Sequence, residues 1–208
     1  MAFDNGPFNE DTFMEEYFRD LRDLYNIKVV IETGTYHGKT TEWLCRNFDQ
    51  VATIEVNDEF YAIAMSRFLN AGLKNVTAIK GSSADCLTRV LEGFVAVGTY
   101  SIKRNFHGNV LIFLDAHWYE NPVLKELEAI RNSGIKPVLA IHDFKNPEDE
   151  TMGFDVYPDQ GIVYEYSWVK NLVEEIYGPD PILFYNKQAA GARRGCLFVV
   201  PQIPNQVS

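Results

Sequence analysis

The chain has 208 residues, 46% of them hydrophobic, and sets 19 Lys and Arg against 29 Asp and Glu for a formal net charge of −10. The apolar share is ample for a core and no linker-like stretch interrupts it, so residues 1–208 read as one domain. No basic block offsets the negative charge, which argues against a nucleic-acid partner. No apolar run approaches the roughly 18–20 residues of a membrane span, and Asp4, Glu10, Asp11, Glu15 and Glu16 do not belong to a signal peptide.

Phe13, Tyr17, Leu21 and Leu24 recur at helical spacing, which predicts an amphipathic helix over about 10–25 inside an N-terminal helical cover, 1–26. A strand at 28–34 is followed by a helix at 39–48, a strand at 50–56, a helix at 58–71 and a strand at 75–80. A helix begins near Asp85, a polar stretch surrounds 101–105, and the most apolar strand spans 110–115. Pro122 opens a helix running to about 132, before a fifth strand at 136–143. Continuously apolar strands alternating with helices imply a parallel sheet buried on both faces. Residues 145–163 then lack periodicity and contain Pro147, Gly153, Pro158 and Gly161, a long loop of the kind that tends to be functional and a candidate lid. A helix at 163–177 and two strands, 181–187 and 195–201, complete the chain, the last pair close enough for an antiparallel hairpin. Cys45, Cys86 and Cys196 are odd in number and embedded in apolar patterns, as buried thiols of a reducing compartment would be, so a cytoplasmic protein is expected.

The first strand passes through Glu32-Thr33-Gly34-Thr35-Tyr36-His37-Gly38-Lys39-Thr40-Thr41 into a helix, a turn that lets a ligand approach backbone N–H groups at a helix N-terminus. A P-loop places four residues between its first glycine and Gly-Lys-Ser/Thr, whereas three separate Gly34 from Gly38, and Tyr36 occupies the place of the second glycine of a dinucleotide fingerprint. Glu32 would repel a phosphate there but could hold an ammonium or ribose hydroxyls, favouring a cationic, phosphate-free nucleoside such as S-adenosylmethionine. An unpartnered carboxylate at that position would be costly, so a ligand is its expected partner, with a salt bridge to Lys39 or Arg67 as the alternative.

This run of βα units closed by a hairpin, with Glu32 before the glycine turn and Glu55 at the end of the second strand, resembles the class I S-adenosylmethionine-dependent methyltransferases over about residues 27–201. The E-x-G-x-x-x-G-x-T turn, Asp115-Ala116-His117 and His142-Asp143 look most like the metal-assisted O-methyltransferases, including the macrocin-type and cephalosporin-hydroxylase-like groups. The resemblance implies an α/β Rossmann-like, doubly wound, seven-stranded sheet in the order 3-2-1-4-5-7-6 with strand 7 antiparallel, and a cofactor over the C-terminal ends of strands 1 to 4. It further implies that Glu32 and the backbone at Gly34 and Gly38 face the methionine portion, that Thr35, Tyr36 and Thr40 belong to the cofactor site, that Glu55 accepts from the ribose diol, that Ser83 stands near the adenine, and that Asp115 borders the cofactor. Two departures are visible: Gly81 is followed by Ser82 and Ser83 where the family often has an acidic residue, and Tyr36 narrows the turn.

Methyl transfer from a sulfonium needs an in-line nucleophile and removal of the acceptor's proton. A divalent cation would lower a hydroxyl's pKa, and Asp115 and Asp143 at the ends of adjacent strands could hold Mg2+ with His142 or Glu120, although histidine points equally to a softer metal or none. His117 is the leading general base, with His142 its competitor; either could instead bond loop backbone. Trp118, Tyr119, Phe144, Phe154 and Tyr157 could wall an acceptor.

The expected function is therefore methyl transfer to a small hydroxylated acceptor. The alternatives are a P-loop-like NTPase, suggested by Gly38-Lys39-Thr40 with Leu111–Asp115, and a non-catalytic S-adenosylmethionine-binding module of the same fold. A homo-oligomer stays open, since the N-terminal helix could pack on a partner.

Overall fold

A computed structural model describes residues 6–92, 110–117 and 121–202. The expected polar stretch at 101–105 and the candidates Trp118, Tyr119 and Glu120 lie outside the described residues. The elements are α1 (Thr12–Tyr25), β1 (Val29–Thr33), α2 (Lys39–Asn47), β2 (Gln50–Glu55), α3 (Asp58–Asn70), β3 (Val76–Lys80), α4 (Ser83–Leu91), β4 (Val110–Leu114), α5 (Val123–Ser133), β5 (Val138–His142), β6 (Val156–Tyr157), β7 (Ile162–Val163), α6 (Tyr166–Tyr177), β8 (Ile182–Tyr185) and β9 (Cys196–Val200). Seven strands form one sheet in the order β3-β2-β1-β4-β5-β9-β8. The first five are mutually parallel, and β9 is antiparallel to both β5 and β8. With the two-residue ribbon β6–β7 set aside, this is the expected order.

The apolar strands explain the layering. Every residue of β1, β4, β5 and β9 is buried, because side chains alternate between two covered faces. One face carries Ile31, Ile54, Ile112, Leu139 and Leu197 against α4, α5 and α6. The other carries Val30, Val51, Leu111, Phe113 and Phe198 against α1 and α2; α1 turns Met14, Phe18 and Leu21 inward, whereas Leu24, which the periodicity placed on the apolar stripe, is exposed. Asp11 starts α1 by accepting from the backbone N–H groups of Phe13 (3.0 Å) and Met14 (3.3 Å). Ahead of it, a 3-10 turn over Pro7–Glu10 has left-handed backbone at Phe8, Asn9 and Glu10, with φ of 50°, 54° and 68°. The Phe8 ring anchors this turn among Phe18, Trp43 and Phe113.

The 145–163 segment is not the structureless loop its composition suggests. Pro158 and Gly161 bracket a 3-10 turn that folds β6 back onto β7, so α6 starts at Tyr166 and not at 163. Backbone bonds tie the segment to the end of β5 (Asp155 N–H to Asp143 C=O, 2.9 Å) and to the loop before β9 (Gly153 N–H to Arg193 C=O, 2.8 Å). Tyr164 is fully buried, stacks on Trp168 at 4.9 Å and donates its hydroxyl to Asn121 Oδ1 at 2.8 Å. The three cysteines are buried free thiols, and among the described residues no helix is long and apolar enough to cross a membrane.

Candidate active site

The turn after β1 has both glycines in left-handed backbone, for steric reasons. A Cβ on Gly34 (φ 85°) would lie 2.3 Å from the Asp115 carbonyl oxygen, and one on Gly38 (φ 76°) 2.7 Å from the Phe68 ring. The turn is thus pressed against the end of β4 on one side and α3 on the other. A pocket opens over the C-terminal ends of the strands, where the crevice of an open parallel sheet is expected. The stretch Gly34–Thr40, Glu55, Ser83, Asp115 and Asp143 line it, joined by Gly6 and Asn9 of the N-terminal segment. Helix α2 begins at Lys39, behind Gly38 at its N-cap, with no side-chain cap among the described residues, so the positive end of its dipole faces the pocket. Lys39, whose P-loop role the spacing denies, lies on the pocket wall as well.

Glu55 is held at the pocket by two backbone donors: Tyr36 N–H reaches Oε2 at 2.8 Å and Asn57 N–H reaches Oε1 at 2.8 Å. Each oxygen keeps a lone pair for a further donor, such as a diol hydroxyl. Tyr36, itself left-handed at φ 49°, stacks on His37 with centroids 3.8 Å apart, and both meet the edge of Phe60. The Thr35 hydroxyl pairs with that of Thr53 at 2.6 Å, and the Thr40 hydroxyl accepts from Phe8 N–H at 2.9 Å.

Glu32 differs from expectation. It is 1% exposed and absent from the pocket lining; its Oε2 accepts from Thr41 Oγ1 at 2.5 Å and Thr53 Oγ1 at 2.7 Å. Burial pushes its pKa up to about 8 against those two bonds, with the charges of Asp115 and Glu55 adding to the rise. The partner that the sequence assigned to a ligand, Lys39 or Arg67 is thus a pair of threonine hydroxyls, and Arg67 bonds instead to His37 C=O (2.8 Å) and Glu42 (3.3 Å).

At the other end of the pocket Asp115 and Asp143 meet, because β4 and β5 are parallel neighbours. Asp143 takes a left-handed backbone, φ 55°. His142 Nδ1 lies 3.1 Å from Asp115 Oδ1 and 3.5 Å from Asp143 Oδ2; His117 Nε2 lies 3.0 Å from Asp143 Oδ2 and 4.0 Å from Asp155 Oδ2. Arg194 completes the group, its Nε donating to Asp143 Oδ1 and its Nη2 to Asp155 Oδ1. Only the two aspartates of β4 and β5 reach the pocket lining; both imidazoles are buried behind them. Burial lowers the pKa of each histidine, yet the surrounding carboxylates outweigh it and raise His117 above, and His142 well above, the ordinary 6.5. Asp143 shows the reciprocal effect: burial raises it, but the histidines hold it well below the usual carboxylate range.

Asp155 and Arg194 were not singled out as site residues by the sequence. A consecutive arginine pair in a glycine-rich loop of an acidic chain was the available signal. Glu126 on α5 was missed as well; it is fully buried, and burial raises its pKa against the opposing effect of the Ser83 and Thr33 hydroxyls beside it. Phe144, Phe154 and Tyr157 do not line the pocket: Phe144 is core, Phe154 lies under Lys145, and Tyr157 donates to the His117 carbonyl.

No protein-family model and no curated protein matches the chain. Solved structures do. An O-methyltransferase from Bacillus cereus, in complex with SAH, is 18% identical with a TM-score of 0.61, covering 92% of this chain and 81% of its own. TomG from Streptomyces achromogenes, an O-methyltransferase involved in tomaymycin synthesis and in complex with SAM, is 20% identical with a TM-score of 0.56, covering 91% and 80%. A SAM-dependent methyltransferase from Aquifex aeolicus is 20% identical with a TM-score of 0.54, covering 92% and 89%. Likenesses at this identity show the fold: the chain has the Rossmann-like architecture of the S-adenosylmethionine-dependent methyltransferases.

Proposed function

We propose that the chain is an S-adenosylmethionine-dependent methyltransferase that methylates a hydroxyl of a small acceptor. The observation that carries the reading is Glu55, fixed by two backbone N–H groups at the end of β2 with acceptor capacity toward the pocket. A ribose diol satisfies such a carboxylate, whereas a phosphate is repelled by it. The uncapped N-terminus of α2 suits the methionine carboxylate. A donor so held would present its methyl group to the part of the pocket lined by Asp115 and Asp143. The P-loop reading has no support in the sheet order or in the neighbours' fold, and the non-catalytic module is the surviving alternative.

In the reaction the acceptor oxygen attacks the methyl carbon in line, the C–S bond breaks as the C–O bond forms, and the sulfonium becomes a neutral thioether. Asp115 and Asp143 are the groups an acceptor hydroxyl would meet on the wall, with His142 and His117 one hydrogen bond behind them. The released proton passes by way of a wall carboxylate to a neutral imidazole, His117 first and His142 as its competitor. Raised histidine pKa values put that neutral form above pH 6.5, so activity should climb through the mildly alkaline range.

The resemblance also implies a divalent cation, expected on Asp115, His142 and Asp143. The cluster brings ligand atoms of Asp115, His117 and Asp143 within 4.8 Å of one another, with His142 alongside. The donor types suit a metal, but Arg194 already sets a positive charge against Asp143 and Asp155, and an added cation would be repelled by it. Asp143 gives Oδ1 to Arg194 and Oδ2 to His117, and Asp115 gives Oδ1 to His142. Mg2+ asks for near-ideal octahedral oxygen geometry, and the residues as arranged do not fit it.

Calorimetry with S-adenosylhomocysteine and with ATP tests the proposal, followed by release of S-adenosylhomocysteine from the donor in the presence of hydroxylated compounds. Binding of the thioether but not ATP is expected; ATP binding, or no heat with either, would overturn it. Turnover that survives unchanged in Asp143→Ala would remove the acceptor-side chemistry.

A further inference from the structure

We infer that Arg194 is the resident cation of the acceptor-side cluster and occupies the role that a divalent ion would otherwise have. Asp115, Asp143 and Asp155 converge on the buried His117 and His142, and Arg194, always charged, ion-pairs with both Asp143 and Asp155. Three carboxylates converging without cations would repel one another strongly in a partly buried site.

The guanidinium is seated by the fold. Arg194 lies just before β9, where Gly153 N–H bonds to Arg193 C=O (2.8 Å) and Gly195 N–H bonds to Gly153 C=O (2.9 Å), so two segments far apart in sequence clasp it. A Cβ on Gly153 would come 2.8 Å from Arg194 Nη1 and 3.1 Å from Cδ; the missing side chain is the space that the arginine fills. A planar fork with fixed donors then reaches Asp143 with one nitrogen and Asp155 with another.

Arg194 does not line the pocket, so it is a positioning residue. It takes Asp143 Oδ1 and fixes the carboxylate plane whose other oxygen faces His117. The inference rests on the cluster's geometry and not on the methyltransferase reading, and its test is separable from that reading.

Chelator-treated protein is titrated with Mn2+ and followed by electron paramagnetic resonance, with cooperative thermal unfolding as the check that each variant is folded. The wild type is expected to show no stoichiometric Mn2+ site at micromolar metal. Arg194→Gln frees Asp143 and Asp155, and should tighten Mn2+ binding by about tenfold or more. Arg194→Lys, which keeps the charge, should stay closed to the metal. A stoichiometric wild-type Mn2+ site that Asp143→Asn abolishes would overturn the inference, as would a folded Arg194→Gln variant with no gain. If Arg194→Gln does not fold, the wild-type titration decides alone. Loss of S-adenosylhomocysteine binding in the wild type would sink the proposed function and leave this result standing.

Discussion

Replacing Glu32 by glutamine isolates one buried proton. In the folded chain the Glu32 carboxyl has its pKa pushed up to about 8 by burial, while the unfolded value is the ordinary 4.5. The native state therefore holds a proton that the unfolded state releases between those values. The stabilisation is fully present below pH 4.5 and declines as pH rises toward 8, by up to about 1.4 kcal/mol per unit. Between pH 5 and pH 8 this integrates to about 3–4 kcal/mol, as an order of magnitude. His117 and His142 also have raised pKa values, and they erode stability in the same direction through and above the neutral range. The informative quantity is thus the difference between wild type and Glu32→Gln, in which the histidine contributions cancel. A glutamine oxygen can accept from Thr41 and Thr53 as Oε2 does, so the variant should fold. Urea unfolding of both proteins across pH 5–8 should show the variant gaining on the wild type steadily as pH rises. Parallel curves would mean that Glu32 is ionised in the native state, and the reasoning would fail.

Glu55→Gln places an amide against two backbone N–H groups, and should weaken S-adenosylhomocysteine binding by roughly 1–3 kcal/mol in calorimetry with little change in fold. Gly34→Ala forces a Cβ to within 2.3 Å of the Asp115 carbonyl at a left-handed φ, so the thermal midpoint should fall and cofactor binding should be lost with it. Phe18→Ala empties a fully buried position between Phe8 and Phe113, and should cost about 3–5 kcal/mol in denaturant unfolding.

The sheet was legible because its signal is local. Val110–Leu114 and Val138–His142 are buried on both faces and read as continuous apolar runs, while helical spacing revealed α1 but not its buried stripe, which is Met14, Phe18 and Leu21 with Leu24 left exposed. Asp115 and Asp143 followed from the same pattern, as polar residues ending neighbouring apolar strands. Glu32 was found but given the wrong partner. Its neighbour Thr53 is 21 residues away across β1 and β2, and Thr41 sits a turn into α2, so only the folded register brings their hydroxyls to it. Arg194 was harder still. It reaches Asp143 from 51 residues away and Asp155 from 39, through loops whose composition reports only that they turn. The small ribbon at β6–β7 escaped notice because two-residue strands carry no periodicity.

The left-handed run at Phe8, Asn9 and Glu10 sits over the mouth of the cavity, where Asn9 is part of the wall and Phe8 N–H clips to Thr40. Such backbone costs on the order of 1–2 kcal/mol per residue, and the Phe8 ring wedged among three aromatic partners is what keeps it wound. The Phe8 ring is thus the anchor on which the place of Asn9 at the pocket wall depends, and loosening the aromatic cluster beneath it would loosen that wall.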